Sequence, residues 1–246
     1  MRKTTALLGI ILFTFSINAQ TIRNSFRHFE IGGEGGFTID YLTVRDPAGN
    51  VLRSSGLVLA SGLGGPKVRS YFNRSIFVEA AFLWKENMFG FYFKQQPDYG
   101  GWGTNGSQTF IIPLRLGYES HFLKKVSLNT VIGVVPSFIT RHSGSSGYGT
   151  MSPGISYSFH MRDEYKKLYF SIQPGICLSH LIKNQLTFSY GINYYHSLDD
   201  AELYDVGYSI NNGQIEHAVI AQRGSFINYN ASLTYRFDLR KRKMNG

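Results

Sequence analysis

The segment 225–237 alternates between apolar and polar side chains with almost no interruption. Its apolar members begin at Ile227 and end at Phe237, and Asn, Ser, Thr and Arg fill the positions between them. Successive strand residues point to opposite faces, so this segment predicts a β-strand with one apolar and one polar face. Six further segments show a similar alternation, and 57–71 is a glycine-rich strand candidate whose facing the pattern does not define. The seven additional segments are 29–41, 57–71, 75–85, 108–119, 126–139, 168–178 and 185–197.

The connections between these segments alternate in length. Short connections are 72–74, 120–125 and 179–184, and long ones are 42–56, 86–107, 140–167 and 198–225. Such alternation is typical of outer-membrane barrels, in which short turns face the periplasm and long loops face the exterior. The predicted fold class is therefore all-β: an antiparallel transmembrane β-barrel of eight strands, with short periplasmic turns and long extracellular loops.

Two alternatives to this fold stay open. A ten-stranded barrel would promote the alternating segment 155–161 and a further strand near 204–211, ahead of a possible Asn211-Asn212-Gly213 hairpin turn. A soluble β-sandwich or lipocalin-like barrel is the other alternative, because alternation alone does not define the buried face. The polar face contains Glu, Arg, Asn and Thr, a composition that favours a small polar lumen.

Residues 1–19 have the composition of a cleaved secretory signal peptide. Arg2 and Lys3 precede an apolar stretch over 6–17, and Ala19 is a small residue suited to cleavage. About 12 apolar residues are too few for a membrane-spanning helix. We therefore expect a signal peptide at 1–19, a lead-in at 20–28, the barrel at 29–238 and a basic periplasmic tail at 239–246, in a protein exported to the bacterial outer membrane.

Composition argues against several classes of function. The formal net charge is +9, but export makes a nucleic-acid partner unexpected, and anionic lipid head groups suit the charge better. The single cysteine, Cys177, excludes a disulfide within the chain. The glycine pairs do not precede a helix, and the seven His lack metal-ligand spacing. No cofactor, metal site or catalytic residue is predicted.

Charged residues on the polar faces are predicted to pair inside the barrel. An eight-stranded barrel has a lumen just wide enough for its own side chains, so these charges should neutralise one another rather than line a channel. A narrow gated pore is the alternative. The predicted lumen network comprises Glu30, Glu34, Glu79, Arg115 and Arg236.

Aromatic residues on the apolar faces are predicted to form two girdles at the membrane interfaces. Those expected near the outer interface are Tyr41, Trp84, Phe110, Tyr194 and Tyr229, and those near the inner interface are Phe29, Tyr118, Tyr235 and Phe237.

The long loops are the remaining candidates for specific function. Segment 88–102 contains six aromatic residues, which either extend a hairpin beyond the membrane or form a contact surface for a protein, glycan or lipid. Catalysis would need a nucleophile and a base within hydrogen-bond reach. The candidates, His142 with Ser143 and His196 with Asp199 or Asp200, do not form a complete constellation, so an enzyme, for example one that modifies lipid A, is not expected.

Three motifs resemble the small outer-membrane β-barrel family common in the Bacteroidetes, which includes OmpA-like and PorT-like barrels. They are Phe110 to Tyr118, Gly175 to Gly191 and Leu233 to Phe237. The resemblance implies a structural or binding protein of the envelope, in some cases part of a secretion assembly. It also implies outer-membrane lipid and lipopolysaccharide as surroundings, and an extracellular protein or glycan as a candidate ligand.

The last strand also resembles the signal that the barrel-assembly machinery reads during insertion. Asn230, Tyr235 and Phe237 match that pattern, whereas Ser232 stands where glycine is preferred. Many such proteins end at the final aromatic residue, whereas this chain continues beyond it into a basic run at 240–243.

Overall fold

The computed structural model describes residues 28–47, 52–54, 60–93, 96–141, 146–151, 155–183, 185–210 and 213–238. The predicted signal peptide and basic tail, as well as His142, Ser143, Asn211 and Asn212, lie outside the described residues. The strands are β1 (His28–Arg45), β2 (Leu52–Ser54), β3 (Ala60–Tyr71), β4 (Ile76–Ala81), β5 (Leu83–Phe93), β6 (Gln96–Ile111), β7 (Leu114–Leu123), β8 (Val126–Arg141), β9 (Ser146–Met151), β10 (Ile155–Tyr165), β11 (Leu168–Lys183), β12 (Leu186–Ser197), β13 (Glu202–Ile210) and β14 (Glu216–Asp238).

Eight antiparallel positions form a closed ring, and we call each of them a stave, whether it consists of one strand or of two strands in line. Their order is β1, β3, β4 with β5, β7 with β6, β8, β11, β12 and β14. The ring closes where β14 pairs with β1, with Phe29 opposite Phe237 and Ile39 opposite Ile227. Two staves contain a local break, at Phe82 and at Ile112–Pro113. The ladder continues across these breaks, since Phe82 N–H donates to the Pro66 carbonyl at 2.9 Å. The eight-strand prediction is confirmed.

Polar side chains face the interior of the ring and large apolar ones face outward. On β8, for example, Asn129 is fully buried inside the ring, whereas Ile132 and Val134 are more than half exposed on its outer surface. A soluble barrel would have the opposite arrangement, so this pattern fits a ring surrounded by lipid. The described part of the chain contains no helix long and apolar enough to cross a bilayer.

The two ends of the ring differ. Short turns join the strands at one end, here called the turn end, where His28 also pairs with Asp238. At the other end, the hairpin end, strands extend well beyond the ring. There β5 and β6 continue as a hairpin across 88–104, and β2 pairs with β5. The described backbone of segment 88–102 extends this hairpin, which is one of the two interpretations of its sequence, and a contact surface there stays a prediction.

The long connections predicted at this end contain further strands. Strand β10 pairs with β9 and β13, and β13 pairs with the outer part of β14 at 216–222. We call these four segments the outer sheet. Strands β9, β10 and β13 do not enter the ring, which excludes the ten-stranded alternative. Backbone groups of long connections need partners, and lateral pairing beyond the ring supplies them.

Gly224 marks the point where β14 leaves the ring. Its φ of +72° is left-handed, and the register of β14 against β1 shifts between Asp40 and Leu42 at the same level. A Cβ at Gly224 would lie 2.7 Å from the Tyr169 ring. Glycine is required here on both grounds, and the shift redirects β14 from the ring into the outer sheet.

Candidate functional site: a divided lumen beneath an outer sheet

The half of the lumen nearer the turn end contains a dense set of charges, the lower ionic layer. Arg115 is its centre, since both of its terminal nitrogens donate to Glu34 at 2.8 Å. One of them also lies 2.5 Å from Glu79. Its Nε donates to Gln173 at 3.0 Å. A buried arginine saturated in this way is held rigidly, because each donor has an oxygen acceptor.

The remaining cations of this layer link the same carboxylates. Arg69 lies 2.7 Å from Glu79, and Arg236 lies 3.0 Å from Glu30. Lys67 bridges Glu34 and Glu79 at 3.6 and 3.3 Å. Four buried carboxylates and four cations make the layer formally neutral. The complete layer consists of Glu30, Glu34, Glu79, Glu119, Lys67, Arg69, Arg115 and Arg236.

An apolar layer, here called the septum, follows on six of the eight staves in the direction of the hairpin end, and the other two staves, β1 and β11, have buried Thr38 and Ser171 there. Tyr195 and Phe226 stack at its centre with ring centroids 4.1 Å apart. Along β4 and β5 the inward residues pass from Glu79 through Ala81 and Leu83 to Lys85, so the apolar step separates two charged ones. The septum consists of Leu63, Ala81, Leu83, Ile111, Val135, Tyr195 and Phe226, all at most 5% exposed.

An upper ionic layer lies beyond the septum. Lys85 pairs with Asp40 at 2.9 Å and lies 5.2 Å from the Phe226 ring. Glu202, from β13, accepts hydrogen bonds from Ser107 at 2.5 Å and Tyr204 at 2.7 Å. Asn87 connects Asp40 and Glu202 through their partners. It accepts a hydrogen bond from Lys85 at 3.1 Å and donates one to Ser107 at 2.7 Å. The layer comprises Asp40, Lys85, Asn87, Ser107, Thr109, Glu202, Tyr204 and Gln222.

The septum interrupts the polar lining of the lumen between the two ionic layers. Arg115 contacts it from one side, through a 3.2 Å hydrogen bond to the Tyr195 hydroxyl. Lys85 contacts it from the other side at Phe226. An ion moving along the barrel axis would lose its water between these two contacts, because the septum side chains offer almost no polar replacement.

The outer sheet is anchored to the ring by polar contacts at its base. Arg45 and Arg223 both reach Asp200, at 2.8 and 3.5 Å. The Tyr208 hydroxyl donates to Asp46 at 2.9 Å, and burial together with this contact raises the pKa of Tyr208 above its ordinary value. The apolar side chains that the structure describes in β13 and the outer part of β14 are mostly buried: Tyr204, Val206, Tyr208, Ala218, Ile220 and Ala221.

The five charged residues predicted for the lumen, namely Glu30, Glu34, Glu79, Arg115 and Arg236, all lie in the lower ionic layer. Arg115 contacts Glu34 and Glu79, and Arg236 contacts Glu30. Sequence reasoning missed Lys67 and Arg69, which lie on the glycine-rich strand β3. The alternation of Lys67, Arg69 and Tyr71 with Val68 and Ser70 was the available signal.

The predicted girdle residues occupy two bands on the outward surface. Phe29 stacks on Phe237 at 4.9 Å near the turn end, and Tyr235 contacts Phe237 at 4.8 Å. Tyr41 meets Tyr194 edge to face at 6.1 Å, nearer the hairpin end. The other members also alternate with buried neighbours and so lie on the outward face: Trp84, Phe110, Tyr118 and Tyr229.

Two of the three assembly-signal residues, Tyr235 and Phe237, face outward near the turn end of β14, and Asn230 faces the lumen. Their role in insertion stays a prediction.

Of the residues weighed for catalysis, the structure describes His196, Asp199 and Asp200, and it pairs each of them with other groups. His196 faces outward and contacts the Tyr194 hydroxyl at 3.3 Å. Asp199 pairs with Lys166 at 2.6 Å, and Asp200 pairs with the two arginines described above. Among the described residues, no group of three His, Cys, Asp or Glu side chains is placed to hold a metal ion.

Comparisons with known proteins agree with this architecture. The model of a family described as outer membrane protein beta-barrel domain matches residues 18–201. The outer membrane protein OprG from Pseudomonas aeruginosa is similar in fold, with a TM-score of 0.53 and 10% identity over 87% of this chain and 97% of OprG. A major outer membrane protein from Thermus thermophilus gives a TM-score of 0.44 and 11% identity over 85% and 99%. No curated protein matches the sequence.

Proposed function

The chain belongs to the family of outer membrane β-barrel domains, and from this premise we propose that it is a non-enzymatic, non-conducting barrel that acts as a scaffold for binding at the cell surface. Family membership implies the bacterial outer membrane as its location. Removal of residues 1–19 during export, and the finer resemblance to small barrels of the Bacteroidetes, are part of the proposal.

One observation carries the proposal: the buried apolar septum lies between two ionic layers whose charges are paired, and it interrupts the polar lining of the lumen. A conducting barrel needs a continuous polar path, and a diffusion porin needs about 16 strands. A binding scaffold needs neither of these. It needs a rigid barrel that presents folded segments to the exterior, and the outer sheet and the β5–β6 hairpin fit that requirement.

Conductance in planar bilayers tests the closed lumen. The purified chain should give no reproducible channels. A variant with two septum side chains shortened, Leu83→Gly with Phe226→Ala, should show conductance events, because water then has room to enter between the ionic layers. Stable, charge-selective channels from the unaltered chain would contradict the proposal and favour a narrow transport pore.

Lipid analysis tests the non-enzymatic part. Mass spectrometry of lipid A from a deletion strain should show the same acyl pattern as the parent strain. An altered pattern that the unaltered gene restores would favour a lipid A-modifying enzyme instead.

The proposed ligand is an extracellular protein or glycan, or another component of an envelope assembly such as a secretion apparatus. Cross-linking in intact cells can compare the full chain with a variant lacking the β9–β10 segment, 146–165. A cross-linked product that requires this segment would support binding through the outer sheet. Products that are identical in both strains would place the contact elsewhere.

A further inference from the structure

Four exposed cationic side chains surround the turn end of the barrel and define what we call the basic rim. Lys124 and Lys125 form the whole β7–β8 turn, and Lys183 ends β11. Arg74 lies in the β3–β4 turn, which Asn73 fixes by accepting hydrogen bonds from the backbone of Ser75 and Ile76, both at 2.7 Å. No acidic residue occurs in the three turns, 72–75, 124–125 and 184–185.

Backbone contacts place these connections side by side. Leu181 N–H donates to the Lys125 carbonyl at 2.8 Å, so the β7–β8 turn is adjacent to the end of β11. Glu119 N–H donates to the Ser75 carbonyl at 2.7 Å, which joins the β3–β4 turn to the neighbouring stave. Lys124, Lys125 and Lys183 therefore lie on adjacent connections of the rim, and Arg74 lies on the next connection, beside the stave of β7.

The basic rim differs from the hairpin end in how its charges are compensated. At the hairpin end Arg45, Arg223 and Lys166 are each within 3.5 Å of an aspartate. Among the side chains that the structure describes, none of the four rim cations has a carboxylate within ion-pair distance. The rim therefore presents uncompensated positive charge.

Apolar side chains accompany these cations and fix their depth in the membrane. Phe122 and Leu123 precede Lys124, and Ile182 precedes Lys183, and all three apolar side chains are more than half exposed. Such residues favour the acyl region, whereas a neighbouring lysine extends its ammonium group toward the head groups. The rim thus lies at the level of lipid phosphates, in the periplasmic leaflet that short turns face.

We propose that the basic rim binds the phosphate groups of anionic phospholipids in the periplasmic leaflet. The ligand is a lipid head group rather than a soluble anion, because exposed apolar side chains flank two of the three clusters of charge. The four cations act together as a multi-point electrostatic contact, which orients the barrel and selects its lipid neighbours.

Lipid selectivity provides the test. The full chain is reconstituted into bilayers of phosphatidylcholine, and the association of spin-labelled phosphatidylglycerol is compared with that of spin-labelled phosphatidylcholine. The rim variant carries Lys124→Gln, Lys125→Gln and Lys183→Gln. The matched control carries Arg45→Gln, Lys166→Gln and Arg223→Gln, which remove the same charge from the hairpin end.

The unaltered chain and the control should prefer phosphatidylglycerol, and the rim variant should lose at least about fivefold of that preference, the effect expected of about one cation near an anionic surface. Salt at about 1 M should abolish the preference in the unaltered chain, because it screens exposed charges. Altered migration of unboiled samples on a gel would verify that both variants are folded.

Three results would overturn the proposal. The rim variant could retain the preference of the unaltered chain, or both variants could lose it equally, which would indicate an effect of net charge alone. Inorganic phosphate could also reduce the preference more than chloride does at the same ionic strength, which would indicate a site for a free anion.

Discussion

The lower and upper ionic layers occupy the same lumen but compensate their carboxylates differently. In the lower layer Glu34 and Glu79 share Arg115 and Lys67, and Glu79 also pairs with Arg69. In the upper layer Lys85 pairs with Asp40, whereas Glu202 is held by the neutral donors Ser107 and Tyr204.

This difference follows from which strands supply the residues of each layer. The lower layer is assembled entirely from strands of the ring, whose inward positions are fixed by the barrel. Glu202 and Tyr204 of the upper layer come from β13, in the outer sheet. This carboxylate, supplied from outside the ring, is held by the Ser107 hydroxyl of β6 and by the Tyr204 hydroxyl of its own strand, and it connects the outer sheet to the lumen.

The largest effect is expected from Arg115→Met. This change removes the cation with the most contacts to Glu34 and Glu79 and leaves Lys67 as the only cation they share, so the free energy of unfolding should fall by about 3–5 kcal/mol. Guanidinium unfolding in lipid vesicles, followed by tryptophan fluorescence, measures it. Neutralising Glu34 alone in the same variant should restore only part of the loss, since Glu79 also loses a partner. Full restoration would show that Arg115 acts on one carboxylate.

A smaller loss, about 3 kcal/mol, is expected from Lys85→Met, because a single buried carboxylate, Asp40, loses its cation. The same unfolding measurement applies. Here one further change, Asp40→Asn, should recover most of the stability. If the double variant were as unstable as Lys85→Met, the contacts of Lys85 with Asn87 and the Phe226 ring would have to account for the loss instead.

The smallest effect is expected from Ser107→Ala, which removes one of the neutral donors to Glu202. Tyr204 remains in place, so the loss should be about 1 kcal/mol. Ser120→Ala, at an exposed position near the turn end, is the matched control and should leave the unfolding midpoint unchanged. A loss as large as that of Lys85→Met would mean that the two layers do not differ in kind.

The ring was predictable from the sequence because alternation records the two environments of each strand. Segments such as 126–139 and 225–237 have apolar residues on the lipid face and polar ones inside, so both facing and register follow. Strand β3 was harder, since Gly62, Gly64 and Gly65 have no side chain to reveal either face.

The septum and the strand pairing of the outer sheet were not predicted, for different reasons. Septum residues are apolar and point inward, so they turn an alternating pattern into a continuous apolar run, as in Ala80 to Trp84. That run was the available signal. It was interpreted as part of a strand, but not as a point where the lining of the lumen changes from polar to apolar. The outer sheet depends on pairing between β10 and β13, for example Ile155 with Ile210, and local patterns do not record such distant partners.

The pairing of β1 with β14 also determines when this molecule can be completed. The two strands that close the ring are the first and last of the chain, and Glu30 from one meets Arg236 from the other. During synthesis and export, the sheet formed by the first seven staves has unpaired edges until the eighth stave is available. The exported chain must therefore be kept from aggregating until its final residues are available, and a chain shortened before residue 226 would never lose its open edges.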